Sequence, residues 1–575
     1  MRKLLRFLNN YKKESILGPL FKLLEASFEL LVPLVVAGMI DVGIKNKDVS
    51  YIMKMGGLLI VLGIIGLVCS ITAQYFAAKA AAGFGTELRN YLFAHMNRLS
   101  YQEIDAAGTA TLITRMTSDI NQVQSGVNLV LRLFLRSPFI VFGAMIMAFT
   151  VNVKAAFVFV ITIPLLSIII FGIMMLSIPL YKRVQTKLDR ITLMTRENLV
   201  GVRVIRAFNR QKQEQKQFEE ESDSLLQVQK IVGRISGLLN PATYSVINLA
   251  IIAVIWVGAK EVDAGVISQG EVVALTNYMS QILVELIKLA NLIVTTTKAF
   301  ACANRINGIL EMEPSIQDPN EPLGEEKETE DMVVFDKVNF AYGDSKEYAL
   351  TDINFTVKKG QTIGIIGGTG SGKSSIVHLI PRFYDCTSGR VVVNGNNVKE
   401  YTQEQLRANI GMVPQKAVLF KGSIRENMKW GKKDATDEEI WKAISIAQAK
   451  EFVSEHGLDY EIQQGGKNLS GGQRQRLTIA RALVKQPEIL ILDDSASALD
   501  FATDAKLRKA IKEETKGMTV FLVSQRASSI RYADQIFVLE DGKIVGAGTH
   551  EALLNGCEVY REICFSQLSK EEVAQ

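Results

Sequence analysis

A stretch of nine residues, GGTGSGKSS, has the residue types and spacing of a loop that holds phosphate groups. It matches the pattern GxxxxGK[ST], in which backbone N–H groups surround the phosphates, the lysine reaches the β- and γ-phosphate oxygens and the hydroxyl ligates Mg²⁺. An apolar strand-like run, QTIGII, precedes it and a helical pattern follows. The sequence therefore predicts a nucleotide site at Gly367, Gly368, Thr369, Gly370, Ser371, Gly372, Lys373, Ser374 and Ser375.

Two adjacent acids end a second apolar run, ILILDD. A buried strand that ends in aspartate delivers a carboxylate to a metal–phosphate site. Asp493 is therefore expected to join Ser374 at the Mg²⁺. Asp494 follows at the position where an ATPase has its water-activating base, so its side chain decides how well such a site works.

The composition separates the chain into two unlike parts. At 575 residues it is too long for one core, which favours two or three domains. Apolar residues make up 48% of the chain, mean hydropathy is +0.16, and the apolar excess lies before residue 310. A net charge of +5 gives no support for nucleic-acid binding. The five cysteines lack paired spacing, which argues against both a disulfide framework and a zinc site.

Six apolar segments predict an all-α membrane domain over residues 1–310. The clearest of them are long enough to cross a hydrocarbon core of about 30 Å. The segments lie near 16–40, 56–84, 133–152, 155–179, 241–260 and 270–297. Residues 311–331 are acidic, contain proline and resemble a linker. Strand-like runs alternate with helical patterns over 332–575, which predicts an α/β domain.

Basic residues set the expected orientation. They cluster at the N-terminus and after the fourth apolar segment, so both termini and two long loops, 85–132 and 180–240, are predicted to be cytoplasmic. Within these loops, 108–119 and 209–218 are either transverse segments that touch another domain or solvated helical bends. Spacing alone does not separate the two.

Four ionisable residues lie inside the predicted membrane segments: Glu25, Glu29, Glu285 and Lys288. Charges at membrane depth are costly and face a cavity or a partner. They are interpreted either as a surface for cationic amphiphiles or as a structural Glu285–Lys288 pair with two glutamates near the headgroups. The structural alternative is the favoured one.

A further motif gives the sequence a family resemblance. Leu469 to Gln473, LSGGQ, resembles the signature of ABC ATPases. Tyr342 is similar to the aromatic that stacks on adenine, Gln415 to the glutamine that bridges metal and membrane domain, and SALD, Ser497–Asp500, to the D-loop. The resemblance covers the whole chain and is to half of a multidrug-type exporter. It also implies that 108–119 and 209–218 are coupling helices.

The resemblance implies ATP and Mg²⁺ as cofactors, with Ser374, Gln415 and Asp493 at the metal. In this family each ATP lies between the P-loop of one subunit and the signature of another, which implies a dimer. Ser470, Gly471, Gly472 and Gln473 would then contact the partner's nucleotide. The implied location is the cell membrane, with the nucleotide-binding domain in the cytoplasm.

Two residues depart from the family pattern. Asp494 stands where the family has glutamate, and Gln525 stands at the switch position, where it has histidine. A shorter base and an uncharged switch predict slow hydrolysis. We therefore expect the degenerate-site subunit of a heterodimeric exporter of amphiphilic compounds. The alternatives are a homodimeric lipid or peptide exporter and an ATP-gated channel or regulator.

Overall fold

The computed structural model describes residues 3–321, 329–343, 345–495 and 499–567. The chain forms two compact units. The first comprises Met1–Asn97 and Ala107–Met312, and the second comprises Arg98–Ala106 and Glu313–Gln575. The second unit thus includes a segment from within the predicted membrane domain. The domain boundaries predicted from the sequence stay a proposal.

Six helical stretches in the described residues are long and apolar enough to cross a membrane. They are Leu4–Ile44, Val49–Met96, Thr109–Val151, Val153–Val200, Gln211–Asp263 and Gln269–Leu310. Each contains one of the six predicted segments, so the prediction of an all-α six-helix domain is confirmed. The helices run far beyond a bilayer's thickness because the long loops continue them.

The helices of this half of the chain follow one another with short breaks. Their bounds are α1 Lys12–Gly38, α2 Val49–Met96, α3 Tyr101–Ala107, α4 Thr109–Thr114, α5 Ile120–Leu133, α6 Arg136–Val151, α7 Val153–Val200, α8 Val202–Ala207, α9 Gln211–Gly237, α10 Leu239–Asp263 and α11 Gln269–Leu310. A 3₁₀ helix, Leu4–Tyr11, precedes α1, and π-helical turns occupy Met39–Ile44 and Arg115–Asp119.

Polar caps fix where three of the long helices begin. Asp48 accepts a hydrogen bond from the N–H of Tyr51 at the start of α2, and Asn152 accepts one from Ala155 at the start of α7. Ser268 and Glu271 form a reciprocal capping box at α11. These caps satisfy N–H groups that a helix leaves without partners at its first turn. They allow sharp reversals between consecutive spans.

The four ionisable residues predicted inside the membrane segments are all paired. Arg136 donates to Glu285 at 2.6 Å and to Glu29 at 2.7 Å, and Lys288 lies 2.8 Å from Glu285. Lys22 donates to Glu25 at 2.5 Å. Three cations therefore face three carboxylates, which favours the structural interpretation. The sequence reasoning identified the Glu285–Lys288 pair but missed Arg136 and Lys22.

Replacing Arg136 with methionine is expected to lower the melting temperature of the purified protein by about 5–10 °C. The Arg136 side chain is 7% exposed, and its loss would leave buried carboxylates without their main partner. Lys3→Met is the matched control because its partner, Glu311, is half exposed. Equal melting curves for the two variants would contradict a structural role of the Arg136 cluster.

The segments 108–119 and 209–218, predicted to be short transverse segments, lie at the beginnings of long helical stretches instead. Residues 109–119 begin the third long helical stretch, and α9 begins at Gln211. The separate short helices lie earlier, α3 before Gly108 and α8 before Asn209. Gly108 has φ 75° and Asn209 has φ 53°. Gly108 is the N-cap of α4 and Asn209 lies between α8 and α9, so each left-handed residue marks the break between a short helix and the helix that follows it.

The segment that belongs to the second unit contains α3. Asp105 accepts a hydrogen bond from the Tyr384 hydroxyl at 2.9 Å, and the ring of Tyr101 packs 4.7 Å from that of Phe383, centroid to centroid. These contacts attach Arg98–Ala106 to the α/β fold. The sequence instead predicts that residues 108–119 contact another domain.

The second unit has the predicted α/β architecture. Its strands are β1 Asp331–Phe340, β2 Leu350–Lys358, β3 Thr362–Gly367, β4 Ser388–Val393, β5 Asn396–Asn397, β6 Ile410–Val413, β7 Gly422–Ser423, β8 Glu461–Ile462, β9 Ile489–Asp493, β10 Thr519–Val523, β11 Gln535–Glu540 and β12 Lys543–Gly548. They form a four-stranded sheet, β2-β1-β4-β5, a six-stranded sheet, β12-β11-β3-β10-β9-β6, and the pair β7-β8.

Helices cover the sheets and enclose the apolar clusters around them. They are α12 Lys373–Leu379, α13 Gln403–Ala408, α14 Ile424–Lys429, α15 Asp437–Ile446, α16 Lys450–His456, α17 Gly471–Val484, α18 Phe501–Glu514, α19 Ala527–Ile530, α20 His550–Gly556 and α21 Glu558–Gln567, with a 3₁₀ turn at Gln464–Gly466. Two large clusters of buried side chains lie on β1–β4 and around α17.

The six-stranded sheet determines where the functional residues meet. Strands β3, β9 and β10 are parallel neighbours, and Val523 pairs with both Ile365 and Asp493. The carboxyl ends of parallel strands lie at one edge of a sheet, where ligands bind in open α/β folds. The P-loop, the acids after β9 and the switch residue after β10 therefore arise side by side.

Candidate nucleotide site

The P-loop connects β3 to α12 through glycines in left-handed conformations. Gly370 has φ 84° and Gly372 has φ 94°. A Cβ on Gly372 would come within 2.9 Å of the Ala349 carbonyl oxygen. Only glycine adopts such conformations at little cost, so the glycine spacing follows from the shape of the loop. Because Gly368 and Gly370 have no side chains, neither residue covers the loop.

Lys373 begins α12 with its ammonium group held over the loop. Its Nζ donates to the carbonyls of Gly367 and Gly368 at 3.0 and 2.5 Å, and the Ser371 hydroxyl lies at 3.4 Å. The residue is buried, and burial lowers the pKa of its ammonium group. Among the described residues no carboxylate lies within ion-pair distance of Nζ. A buried cation surrounded by neutral oxygens suits a polyphosphate ligand.

Ser374 and Asp493 lie together, as predicted for two residues at one metal. The Ser374 hydroxyl donates to Oδ1 of Asp493 at 3.0 Å. Burial raises the pKa of the Asp493 carboxyl, an effect opposed by this hydrogen bond. Oxygen donors of this kind suit Mg²⁺, which neutralises phosphate charge and restores the carboxylate's preference for ionisation. The two side chains therefore fit the predicted metal.

Asp494 occupies a constrained position beyond β9. Its φ is 46°, and its N–H donates to the Val523 carbonyl at 2.9 Å. Gln415 donates from Nε2 to its Oδ2 at 3.4 Å. Burial raises the pKa of the Asp494 carboxyl, and the bond from Gln415 opposes that rise. The backbone N–H of Asp494 is thus tied to β10, so the reach of the carboxylate depends on the length of its side chain.

Tyr342 lies next to the P-loop helix. Its hydroxyl is 2.9 Å from the Ser375 hydroxyl, and its ring is partly exposed. Phe340 and Tyr384 contact it edge-on, with centroids 4.6 and 5.2 Å away. An exposed ring face supported by other aromatics suits stacking on a flat base. This is the position predicted for the adenine contact.

The signature residues are prearranged at the start of α17. The Ser470 hydroxyl oxygen accepts a hydrogen bond from the Gln473 N–H at 3.2 Å, and Oε1 of Gln473 accepts one from the Ser470 N–H at 2.8 Å. Ser470 and Gly471 are exposed. In the described structure, the hydrogen bonds between Ser470 and Gln473 do not involve the P-loop side chains of the same chain. The helix start is thus open to a ligand from outside.

One half-buried neighbour of the site was missed from the sequence. His378 lies one turn after Ser374 on α12, and its Nε2 is 3.7 Å from Oδ2 of Asp493. Burial lowers the pKa of the imidazole, with nearby acids opposing the shift. The imidazole ring beside Asp493 limits the space around the predicted metal position. The i, i+4 spacing of Ser374 and His378 was the available signal.

Gln525 is held by the last described helix, a second feature the sequence did not indicate. The side chain of Gln525 is exposed, whereas its carbonyl accepts a hydrogen bond from Nε2 of Gln567 at 2.7 Å. The Oε1 of Gln567 accepts one from the N–H of Ala527 at 2.9 Å. Tyr560 and Cys564 anchor α21 in a buried cluster. Gln567 therefore fixes the main chain on both sides of Arg526.

Gln567→Ala is expected to lower ATP turnover about threefold while ATP affinity is retained, since the switch main chain loses two hydrogen bonds. The measurements are steady-state hydrolysis and nucleotide binding on the full chain. In a Gln525→Ala background the same change should have little further effect, because no switch side chain remains to be positioned.

Ser566→Ala is the control, since its hydroxyl bonds only locally to Ile563. Full additivity of Gln567→Ala and Gln525→Ala in their effects on turnover would contradict positioning through the switch residue.

Comparison with known proteins decides the family. Residues 15–286 match the family described as ABC transporter transmembrane region, and residues 350–497 match that described as ABC transporter. The chain is 35% identical to YfiB of Bacillus subtilis, an uncharacterised ABC transporter ATP-binding protein, over 99% of each. This chain belongs to the ABC transporter family.

Two further relatives carry functional names. An ATP-dependent lipid A-core flippase of Desulfotalea psychrophila is 32% identical over 90% of this chain and 91% of its own length. YgaD of Bacillus subtilis, provisionally named a multidrug export ATP-binding/permease protein, is 31% identical over 98% of each. The whole length of the ABC transporter chain is thus shared with its relatives.

The fold is that of an ABC exporter. A bacterial Atm1-family ABC exporter with ATP bound superposes with a TM-score of 0.79 at 22% identity, over 97% of this chain and 100% of that one. The chain therefore has the fold of an ABC exporter, in which an ABC transporter transmembrane region is fused to an ATP-binding domain. ABC exporters hydrolyse ATP, dimerise and work in the lipid bilayer.

Proposed function

We propose that this chain is the degenerate-site half of a heterodimeric exporter of hydrophobic or amphiphilic compounds. The observation that carries the proposal is the pairing of Asp494 with Gln525 at the ends of adjacent strands. Both differ from the family residues at one site, while LSGGQ is intact. Under this proposal the P-loop holds ATP, hydrolyses it slowly, and the partner's site supplies most of the turnover.

Side-chain length limits Asp494 as a base. Its backbone is fixed by the bond to Val523, so the chain cannot simply advance to compensate for a missing methylene. A carboxylate withdrawn by about 1 Å costs on the order of a hundredfold in rate. Burial raises the pKa of Asp494, which favours proton acceptance, but proton transfer requires hydrogen-bond contact with the water first. Geometry therefore dominates over basicity.

Gln525 limits the same site in a second way. Its amide can donate a hydrogen bond to the γ-phosphate but cannot become cationic, so charge that develops in the transition state is less well stabilised. Lys373 would hold the β- and γ-phosphates, while Ser374, Asp493 and Gln415 would hold Mg²⁺. Tyr342 would stack on adenine. Binding is retained under this proposal and cleavage is impaired.

The signature of this chain would serve the partner. Ser470 to Gln473 form an exposed helix start whose amides can contact a γ-phosphate from another subunit. In the partner's site, the family's glutamate and histidine would stand at the positions that Asp494 and Gln525 occupy here. The lipid bilayer and small amphiphilic substrates complete the proposed set of partners, with both termini in the cytoplasm and the chain in the cell membrane.

The relatives' names support export of amphiphiles and leave the substrate open. The flippase name refers to a lipid and the YgaD name to multidrug export. A homodimeric lipid exporter would need two Asp494/Gln525 sites to sustain turnover, which the limits on both residues disfavour. Glu25, Glu29 and Glu285 are paired within the chain, so they give no support for a substrate site.

Asp494→Glu combined with Gln525→His is expected to raise ATP turnover of the purified chain about tenfold or more, because reach and switch charge are both restored. Lys373→Ala on that background should abolish the gain by removing the phosphate contact. Asp494→Asn in the wild-type chain should cost little. Unchanged turnover in the double variant, with ATP still bound, would contradict the weak-base interpretation.

Native mass spectrometry of the tagged chain, purified from membranes of its own host, tests the heterodimer. We expect a complex of this 63.6 kDa chain with a second ABC half-transporter of different mass. Turnover of the complex should exceed that of the chain alone by about a hundredfold, since the partner supplies the competent base. A complex of two identical copies with rapid turnover would support the homodimer instead.

A further inference from the structure

A second cavity of about 670 Å³ lies in the ATPase unit, outside the nucleotide site. It opens between α18, β10 and α19, and none of the predicted nucleotide-binding residues lines it. Its volume lies in the range of sites for small organic ligands, about 300–1,000 Å³. Its floor is apolar and includes Ile511, Met518, Val520 and Tyr532.

The rim of the cavity is strongly basic. Arg508, Lys509, Lys512 and Lys516 line it against one carboxylate, Asp534. That carboxylate already accepts the N–H of Thr362 at 2.7 Å. Among the described residues Lys512 and Lys516 have no ion-pair partner, and Lys509 reaches Glu513 only at 3.9 Å. An unbalanced cluster of cations over an apolar floor attracts anions with an apolar body.

Arg508 is the cation nearest the interior. Its Nη1 donates to the Ser528 carbonyl at 3.2 Å, its Nη2 lies 3.2 Å from Asp504, and its guanidinium carbon is 5.9 Å from the Tyr532 ring centroid. Its Nε is buried without a hydrogen-bond partner among the described residues. A buried donor without a partner is costly, and a ligand oxygen could satisfy it.

We propose that this cavity binds an amphiphilic anion. The acidic group lies against Arg508 and the two unpaired lysines, and the apolar body packs on Ile511, Met518 and Tyr532. The site is independent of the degenerate-site proposal, because it involves neither Asp494 nor Gln525.

The cavity is linked to the ATP site through one buried carboxylate. Asp504 on α18 accepts a hydrogen bond from the Ser529 hydroxyl on α19 at 3.0 Å and also pairs with Arg508. Helix α19 follows Gln525 directly, and Arg508 and Ser529 both line the cavity. A ligand anion competes with Asp504 for Arg508. Its binding therefore loosens the contact between α18 and the helix behind the switch residue.

Photolabelling of the full chain with a benzophenone carboxylate tests the site, with a hydroxymethyl benzophenone as the neutral analogue. Peptide mass spectrometry should place the carboxylate's label within 505–534. The neutral analogue should label that region about tenfold less, since it lacks the charge–charge attraction. The K512E/K516E variant should lose labelling to a similar degree, and K506E, on the same helix but outside the cavity, should retain it.

A further variant controls for misfolding, and a turnover measurement tests whether ligand binding in the cavity affects the ATP site. Ala505→Trp introduces an indole at the exposed mouth and should block labelling while ATP binding persists. Saturating benzophenone carboxylate should lower wild-type ATP turnover about fivefold and leave K512E/K516E unchanged. Equal labelling by the neutral analogue, or full labelling of both variants, would overturn the site. Unchanged wild-type turnover under full labelling would overturn the link.

Competition distinguishes the source of the natural anion. In phosphatidylcholine nanodiscs, protection from labelling by decanoate added to the buffer indicates a soluble amphiphile. Protection that requires phosphatidylglycerol in the nanodisc indicates an anionic lipid. Either result supports the site, and absence of protection by both overturns it.

Discussion

The pairing of β3, β9 and β10 as adjacent parallel strands is the constraint on which the ATP site depends. In the register of these strands, Val523 on β10 pairs with Ile365 on β3 and with Asp493 on β9. Since each strand ends at the same edge, the P-loop, the proposed metal ligand Asp493 and the proposed switch residue Gln525 become neighbours although they lie far apart in the sequence. A slip of one residue would turn Asp493 to the other face. The chemistry thus depends on backbone hydrogen bonds far from any phosphate.

A different constraint governs the membrane unit, where ionised groups must find partners. Arg136 joins Glu29 and Glu285 across three helices, and together with Lys22, Glu25 and Lys288 the cluster has three cations and three carboxylates. The low polarity around such groups makes an unpaired member far costlier than any one pair is favourable. The cluster therefore fixes how α1, α6 and α11 pack, beyond what apolar side chains specify.

The sequence predicted the parts of the fold that are local. Six apolar segments, the strand before the P-loop and the acids after β9 each lie in a short window, and the structure places them as expected. The Arg136–Glu285 pair is separated by 149 residues, so no local pattern indicates it. Gln567 belongs to no motif. The short helices were misplaced because a left-handed residue such as Asn209 carries no unambiguous sign of whether a helix ends or begins there.

The inclusion of Arg98–Ala106 in the second unit has a practical consequence for dissecting this chain. A fragment that starts at residue 313 would keep the sheet and the P-loop, yet it would lack the acceptor of the Tyr384 hydroxyl and the ring beside Phe383. Tyr384 adjoins Tyr342, so the gap would open next to the position proposed for adenine. Nucleotide affinities measured on such a fragment would describe a surface that the intact polypeptide never presents.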